Sequence, residues 1–308
     1  IAPGIVPGIE VEAGQLIGWV GDSGNAEGVY PHLHWEVRSP DGYVNPTPHA
    51  DAAIRIPEPG ITHYDPPCPD GAICDTIAMV DPGSRFGLWD RLDDPHDTDW
   101  FYFGNPGDLP FMGDWDGDGE ATPCLYRQSD GFVYIRDSNT EGTADREFFF
   151  GDPGDVPLVG DFDGDGRDSV SIWRASEARV YIINELGEDG AGLGAADYSF
   201  AFGNPGDQPF IGDFDGDGTD TVGLYRTSTG FVYFTNRNET GTADFEFYYG
   251  IPGDVIFAGD WDGNGVDTVA VFRSSTRRVY MNLDNAPGSA DWAGYVGTNP
   301  TVLPVGGG

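Results

Sequence analysis

The chain contains no lysine. All 15 of its basic residues are arginine, against 52 aspartates and glutamates, and the formal net charge is −37. Such a surface repels nucleic acid and anionic membranes, so neither is expected as a partner. Methionine and cysteine are scarce, three of each. No apolar run approaches the length of a membrane-spanning helix, so no membrane insertion is expected. The sequence begins at Ile1 with neither a methionine nor a signal peptide, which reads as a processed or truncated N-terminus and leaves secretion open. What is present is a chain of 308 residues, long enough for one large or two small domains. It is 39% apolar and 13% aromatic, ample for a packed core and too apolar for disorder. The acidic excess has two explanations. One is solubility, in a salty habitat or from a GC-rich genome. The other is metal ligation, in which divalent cations neutralise many of the carboxylates.

Internal repetition decides between them. The stretch Gly113-Asp114-Trp115-Asp116-Gly117-Asp118-Gly119 recurs from Gly160, Gly212 and Gly259, each time as Asp-aromatic-Asp-Gly-(Asp/Asn)-Gly. The first aspartates, Asp114, Asp161, Asp213 and Asp260, are 47, 52 and 47 residues apart. After each loop a strand ends in aromatic-Arg, at Arg127, Arg174, Arg226 and Arg273. In the clearest copy a turn ending at Gly230 leads to a second strand over 231–234 and a third, aromatic strand over 245–249. A Pro-Gly turn such as Asn204-Pro205-Gly206-Asp207 suits a type II turn and feeds a short fourth strand over 209–211. Four short strands per period are the arithmetic of a propeller blade.

The ends of the array complete each other. Asp75-Thr76-Ile77-Ala78-Met79 matches Asp220-Thr221-Val222-Gly223-Leu224, and the stretch around Pro304-Val305 matches the fourth strand. The expected fold is all-β. Residues 68–308 form a five-bladed β-propeller of four-stranded blades, with the C-terminal strand completing the first blade. Such closure removes exposed sheet edges. Residues 51–67, with Pro57, Pro59, Pro66 and Pro67, read as a linker. Residues 1–50 form a separate, partial β-rich domain.

Carboxylates at positions 1, 3 and 5 of a tight glycine-containing loop converge on one point, which suits a hard cation and above all Ca²⁺. The candidate ligands are Asp114, Asp116 and Asp118; Asp161, Asp163 and Asp165; Asp213, Asp215 and Asp217; and Asp260, Asp262 and Asn264. An eighth-position acid follows in three loops, Asp168, Asp220 and Asp267, whereas the first has Ala121 there, an expected weakening of that site. Four calcium sites are expected. The loop aromatics Trp115, Phe162, Phe214 and Trp261 read as packing residues, and the four repeated arginines as partners of nearby carboxylates. In the first copy Cys68 replaces the first ligand. A Cys68–Cys74 disulfide is expected to staple that loop where the others use a cation, worth about 2 kcal/mol for so short a closure. Cys124 lies in an apolar strand and reads as buried and inert.

With these loops in place, residues 68–308 resemble the FG-GAP/VCBS class of calcium-loop propeller repeats. The resemblance implies Ca²⁺ as a structural ion and a role in adhesion or polymer binding.

The N-terminal segment carries a different signature. Val11-Glu12-Ala13-Gly14-Gln15-Leu16-Ile17-Gly18 is followed by Pro31-His32-Leu33-His34-Trp35-Glu36-Val37, then Asp41-Gly42 and Val44-Asn45-Pro46. In a strand His32 and His34 would share a face, and imidazole is a common zinc ligand. Residues 9–48 resemble the C-terminal part of lysostaphin/LytM-type zinc endopeptidases, which cut peptidoglycan cross-links. The resemblance implies that His34 is a zinc ligand and His32 the catalytic histidine. The family's other two zinc ligands, a His and an Asp in a His-x-x-x-Asp motif, do not occur in this sequence. Zinc is therefore expected only if an upstream half supplies them.

Two readings of function follow. In the first, the chain is the C-terminal portion of a secreted cell-wall zinc metalloendopeptidase whose calcium-binding propeller holds substrate or surface. In the second, it is a non-catalytic, calcium-stabilised propeller for adhesion or glycan binding. Both imply an extracellular or cell-surface location, polysaccharide or peptidoglycan as partner, and a monomer.

Overall fold

The structure, a computed structural model, describes residues 37–39, 42–44, 68–69, 72–89, 98–187, 192, 194–296 and 301–305. The chain forms two compact units, Ile1–Gly60 and Ile61–Gly308. In the first, strands β1 (Val37–Ser39) and β2 (Gly42–Val44) pair antiparallel. His32 and His34 lie outside the described residues.

The second unit is a five-bladed β-propeller, all-β among the described residues. Blade 1 is built from β3 (Thr76–Val80), β4 (Arg85–Trp89), β5 (Thr98–Tyr102) and the C-terminal β22 (Thr301–Val305). Blade 2 holds β6 (Leu109–Gly113), β7 (Thr122–Arg127), β8 (Phe132–Ile135) and β9 (Arg146–Phe149). Blade 3 holds β10 (Val156–Gly160), β11 (Ser169–Arg174), β12 (Arg179–Ile182) and β13 (Tyr198–Ala201). Blade 4 holds β14 (Gln208–Gly212), β15 (Thr221–Arg226), β16 (Phe231–Phe234) and β17 (Phe245–Tyr248). Blade 5 holds β18 (Val255–Gly259), β19 (Thr268–Arg273), β20 (Arg278–Met281) and β21 (Trp292–Tyr295).

Each sheet is antiparallel and follows chain order, except that β22 pairs with β3, Thr301 opposite Val80 and Val305 opposite Thr76. This pairing closes the ring, and the innermost strands β22, β6, β10, β14 and β18 touch in cyclic order. They line a central channel of about 440 Å³.

The core sits between blades, in five apolar clusters. Between blades 4 and 5, Tyr225, Val232 and Phe234 meet Val269 and Val271. Across the seam of blades 5 and 1, Trp261, Ala270 and Met281 meet Ile77 and Met79. Alternation explains the arrangement, since each strand sends side chains to both faces and both faces are covered by neighbouring blades. The loop aromatics Trp115, Phe162, Phe214 and Trp261 are buried in these clusters.

The Pro-Gly turns set the entry to four innermost strands, β6, β10, β14 and β18. In all four, the residue after glycine donates its N–H back to the turn's first carbonyl, as Asp207 N–H does to Asn204 O at 3.1 Å, with Gly206 at φ 92°. The turn aspartate then captures the repeated arginine. Arg226 Nε and Nη2 each donate to Asp207 at 2.9 Å, while the guanidinium lies 4.8 Å over the Tyr233 ring. Arg127 does the same with Asp108 and Tyr134, Arg174 with Asp155 and Tyr181, and Arg273 with Asp254 and Tyr280. These arginines are structural. Their aspartate partners were legible in advance only as a recurring Gly-Asp at the end of each turn.

Candidate metal sites in the acidic loops

Each acidic loop leaves an innermost strand and is folded by its first carboxylate. Asp114 Oδ1 accepts the N–H groups of Gly117 at 2.8 Å and Asp118 at 3.2 Å, and its Oδ2 accepts that of Gly119 at 2.9 Å. Asp161 and Asp213 gather their own loops in the same way, and Asp260 binds the N–H groups of Asn264 and Gly265. Glycines at the fourth and sixth positions make the turn, Gly117 at φ 76° and Gly119 at φ 89°, a region that costs other residues backbone strain. The fourth-position glycine also has a packing role. A Cβ on Gly117 would lie 3.0 Å from the carbonyl of Gly166 in the next loop, and one on Gly216 3.0 Å from that of Gly265. The loops therefore abut one another around the ring.

Three ligand sets converge as triads. One carboxylate oxygen from each of Asp114, Asp116 and Asp118 lies within 4.8 Å of the others, and the same holds for Asp161, Asp163 and Asp165 and for Asp213, Asp215 and Asp217. In the fourth loop Asn264 replaces the third acid and its Oδ1 accepts the Val266 N–H at 2.8 Å. Partial burial and the like charges of Asp165 and Asp161 raise the Asp163 carboxyl above its ordinary value, and burial with Asp260 does the same to Asp262.

In blade 2 the cluster opens on a small cavity of about 80 Å³ lined by Trp115, Asp116, Asp118, Glu120, Asp137 and Ser138. Asp137 comes from the segment after β8, so two separate loops supply carboxylates. Its counterparts in blades 3 and 4 are Asn184 and Asn236. All three donate their main-chain N–H to a carboxylate placed alike, that of Asp145, Asp197 or Asp244. The side-chain oxygens of Asn184 and Asn236 are buried without a hydrogen-bond partner. The sequence reading missed Asp137, because only the sheet brings the segment after β8 beside the acidic loop of blade 2.

The eighth-position acids are not brought to their own triads. Asp168 Oδ2 accepts the N–H of Asp114 in the preceding blade at 2.8 Å, and Asp168 N–H returns a bond to Asp114 O at 2.7 Å. Asp220 and Asp161 exchange the same pair, as do Asp267 and Asp213, and Asp75 and Asp260. These acids are latches between blades. Ala121 stands in the fifth latch position, facing the junction with the Cys68 copy, and the Asp114 loop has its latch in Asp168. The expected weakening of the Asp114 site through Ala121 therefore has no structural basis.

The latch carboxylates also line the channel. Burial, then the charges of Asp114, Asp161 and Asp75, push Asp168 up to about 7. Asp220 is raised by burial and by Asp168, and Asp267 by burial and by Asp75 and Asp220.

The first copy departs from the others. Cys68 and Cys74 are joined by a disulfide, Cα to Cα 5.9 Å. Cys124 is buried, and burial holds its thiol far above the ordinary range, which makes it unreactive.

No protein-family model matches the chain, and no curated protein sequence matches it. Among solved structures, the crystal structure of BBS1N in complex with ARL6DN soaked with lead is 12% identical, with a TM-score of 0.40, covering 77% of this chain and 70% of that one. A mercury-soaked crystal of the same complex is 9% identical, with a TM-score of 0.39, covering 73% of this chain and 69% of that one. Likenesses of this size say nothing about what this chain binds.

Proposed function

We propose that the propeller is a calcium-stabilised binding module of a secreted protein, acting in adhesion or in holding cell-wall polymer. The observation that carries the calcium reading is the convergence of Asp114, Asp116 and Asp118 on one point, repeated in two further blades. The donor set fits. It is all oxygen and irregular, which suits Ca²⁺ better than a metal preferring nitrogen or sulfur. In blades 2 to 4 the first aspartate would hold the ion while folding the loop, the third and fifth residues would complete the carboxylate face, and Asp137 would add an oxygen in blade 2. The fourth loop fits through Asp260, Asp262 and Asn264. The ion would neutralise like charges held close together and fasten loops that pack against one another around the ring. The FG-GAP/VCBS resemblance of the repeats supports the same reading.

Calorimetric titration of chelator-stripped protein tests it. Binding of about four Ca²⁺ supports the reading, and no heat at millimolar calcium overturns it. A pull-down on peptidoglycan and neutral glycans, with and without calcium, then separates a binding module from a spacer.

The peptidase reading rests on the sequence around His32 and His34. It proposes that this chain is the C-terminal portion of a peptidoglycan endopeptidase, with His34 holding zinc and His32 acting on substrate. Its test is zinc content and muropeptide release by protein carrying the natural upstream sequence, with and without His34→Ala.

A further inference from the structure

The Cys68–Cys74 disulfide replaces a carboxylate. In the other copies the first aspartate gathers the N–H groups of its own loop. Residue 68 offers no such acceptor. Among the described residues the shape of this copy is held by the disulfide and by one main-chain bond, Ala72 N–H to Pro69 O at 3.0 Å. The segment leads directly into Asp75, whose carboxylate accepts the Asp260 N–H and whose N–H donates to Asp260 O. The same segment abuts the blade 5 loop. A Cβ on Gly263 would lie 2.7 Å from Ile73 O, 2.9 Å from Cys74 Sγ and 3.1 Å from Ala72 Cβ.

On its other side, the latch position is Ala121 of blade 2, so that position offers no carboxylate to residue 68. The disulfide therefore shapes the segment that latches the first blade to the last, at the one junction made by the two ends of the array. It is reachable, since Cys68 and Cys74 are half-buried beside exposed Pro69, Ala72 and Ile73, the last 68% exposed.

We propose that the Cys68–Cys74 disulfide is a redox-sensitive latch on the ring seam. When oxidised, it presents Asp75 to Asp260 and the seam is tight. A dithiol donates two electrons and two protons, the Sγ–Sγ bond breaks to two thiols, and the dithiol becomes a disulfide. Among the described residues the segment then keeps only the Ala72–Pro69 main-chain bond, and blades 5 and 1 separate more readily while the other junctions stay latched.

The test is amide hydrogen exchange on the full chain at fixed calcium, before and after native reduction with dithiothreitol, with alkylation confirming two accessible thiols. Peptides 72–80 and 258–264 should exchange at least tenfold faster after reduction, and peptides 110–116 and 165–172 should not change. A Cys68→Ser/Cys74→Ser variant should show the fast seam without reductant. Asp75→Ala should make the oxidised seam fast already, with less than a twofold further gain on reduction. Seam exchange unmoved by reduction, or rising equally at every junction, would overturn the proposal. Holding calcium constant keeps this result separate from the calcium reading.

Discussion

Asp75 and Asp260 lie 185 residues apart in the chain and meet at the ring seam, where each bonds the other's main chain. Asp260 N–H reaches Asp75 Oδ2 at 2.8 Å, and Asp75 N–H reaches Asp260 O at 2.9 Å. Removing the carboxylate leaves the Asp260 N–H without its acceptor. Asp75→Ala should therefore cost about 1–3 kcal/mol, the range for a hydrogen bond to a charged group or an orphaned buried donor. Urea denaturation checks this, and a loss below about 0.5 kcal/mol would show that the β22–β3 pairing alone holds the seam.

Calcium removal should lower the melting temperature. An ion that binds only the folded loops stabilises by mass action, about 2.7 kcal/mol per site at a hundredfold excess over Kd. The melt in excess EDTA should fall well below that in millimolar calcium, and Asp116→Asn/Asp118→Asn should remove one site from the titration. An identical melt in both buffers would take the ion out of the account.

Stability in chelator should fall as pH rises. Asp168 is held at about 7 in the folded chain against an ordinary 3.8, and Asp220 and Asp267 are raised as well, all chiefly by burial. Between these values the unfolded chain ionises its carboxylates while the folded chain keeps the proton, so the unfolded state binds fewer protons and gains on the folded one. The contribution is fully present below about pH 4 and is lost as pH rises through about 7. Denaturation midpoints measured from pH 5 to pH 8 should decline, and Asp168→Asn should flatten the slope. A midpoint that rises across this window would show the latch carboxylates charged throughout.

Arg226→Lys should not be conservative. The lysine would lose the two-pronged bond to Asp207, a side chain only 3% exposed, and the stacking on Tyr233. A loss of about 1.5–3 kcal/mol is expected from the charged hydrogen bonds. Thermal denaturation of Arg226→Lys beside Arg226→Ala distinguishes lost geometry from lost charge.

The sequence by itself determined the number of blades, the four strands in each, the Pro-Gly turns and the inward loop aromatics. These features are set within one period, by alternation of apolar residues and by turn residues whose backbone preferences are local. The pairing of the end strands was also legible, because an unfinished first period and an unfinished last one complement each other. Only the tertiary structure decided what Asp168, Asp220 and Asp267 do. In a head-to-tail array, a residue in register with its own loop is equally in register with the loop of the preceding blade. The sequence period is the same for both, and only the curvature of the ring turns the carboxylate toward Asp114, Asp161 and Asp213. The same ambiguity hid the place of Ala121 at the Cys68 junction. It also hid Asp137, which reaches the cavity beside Asp116 and Asp118 because antiparallel pairing folds the end of β8 back beside the loop.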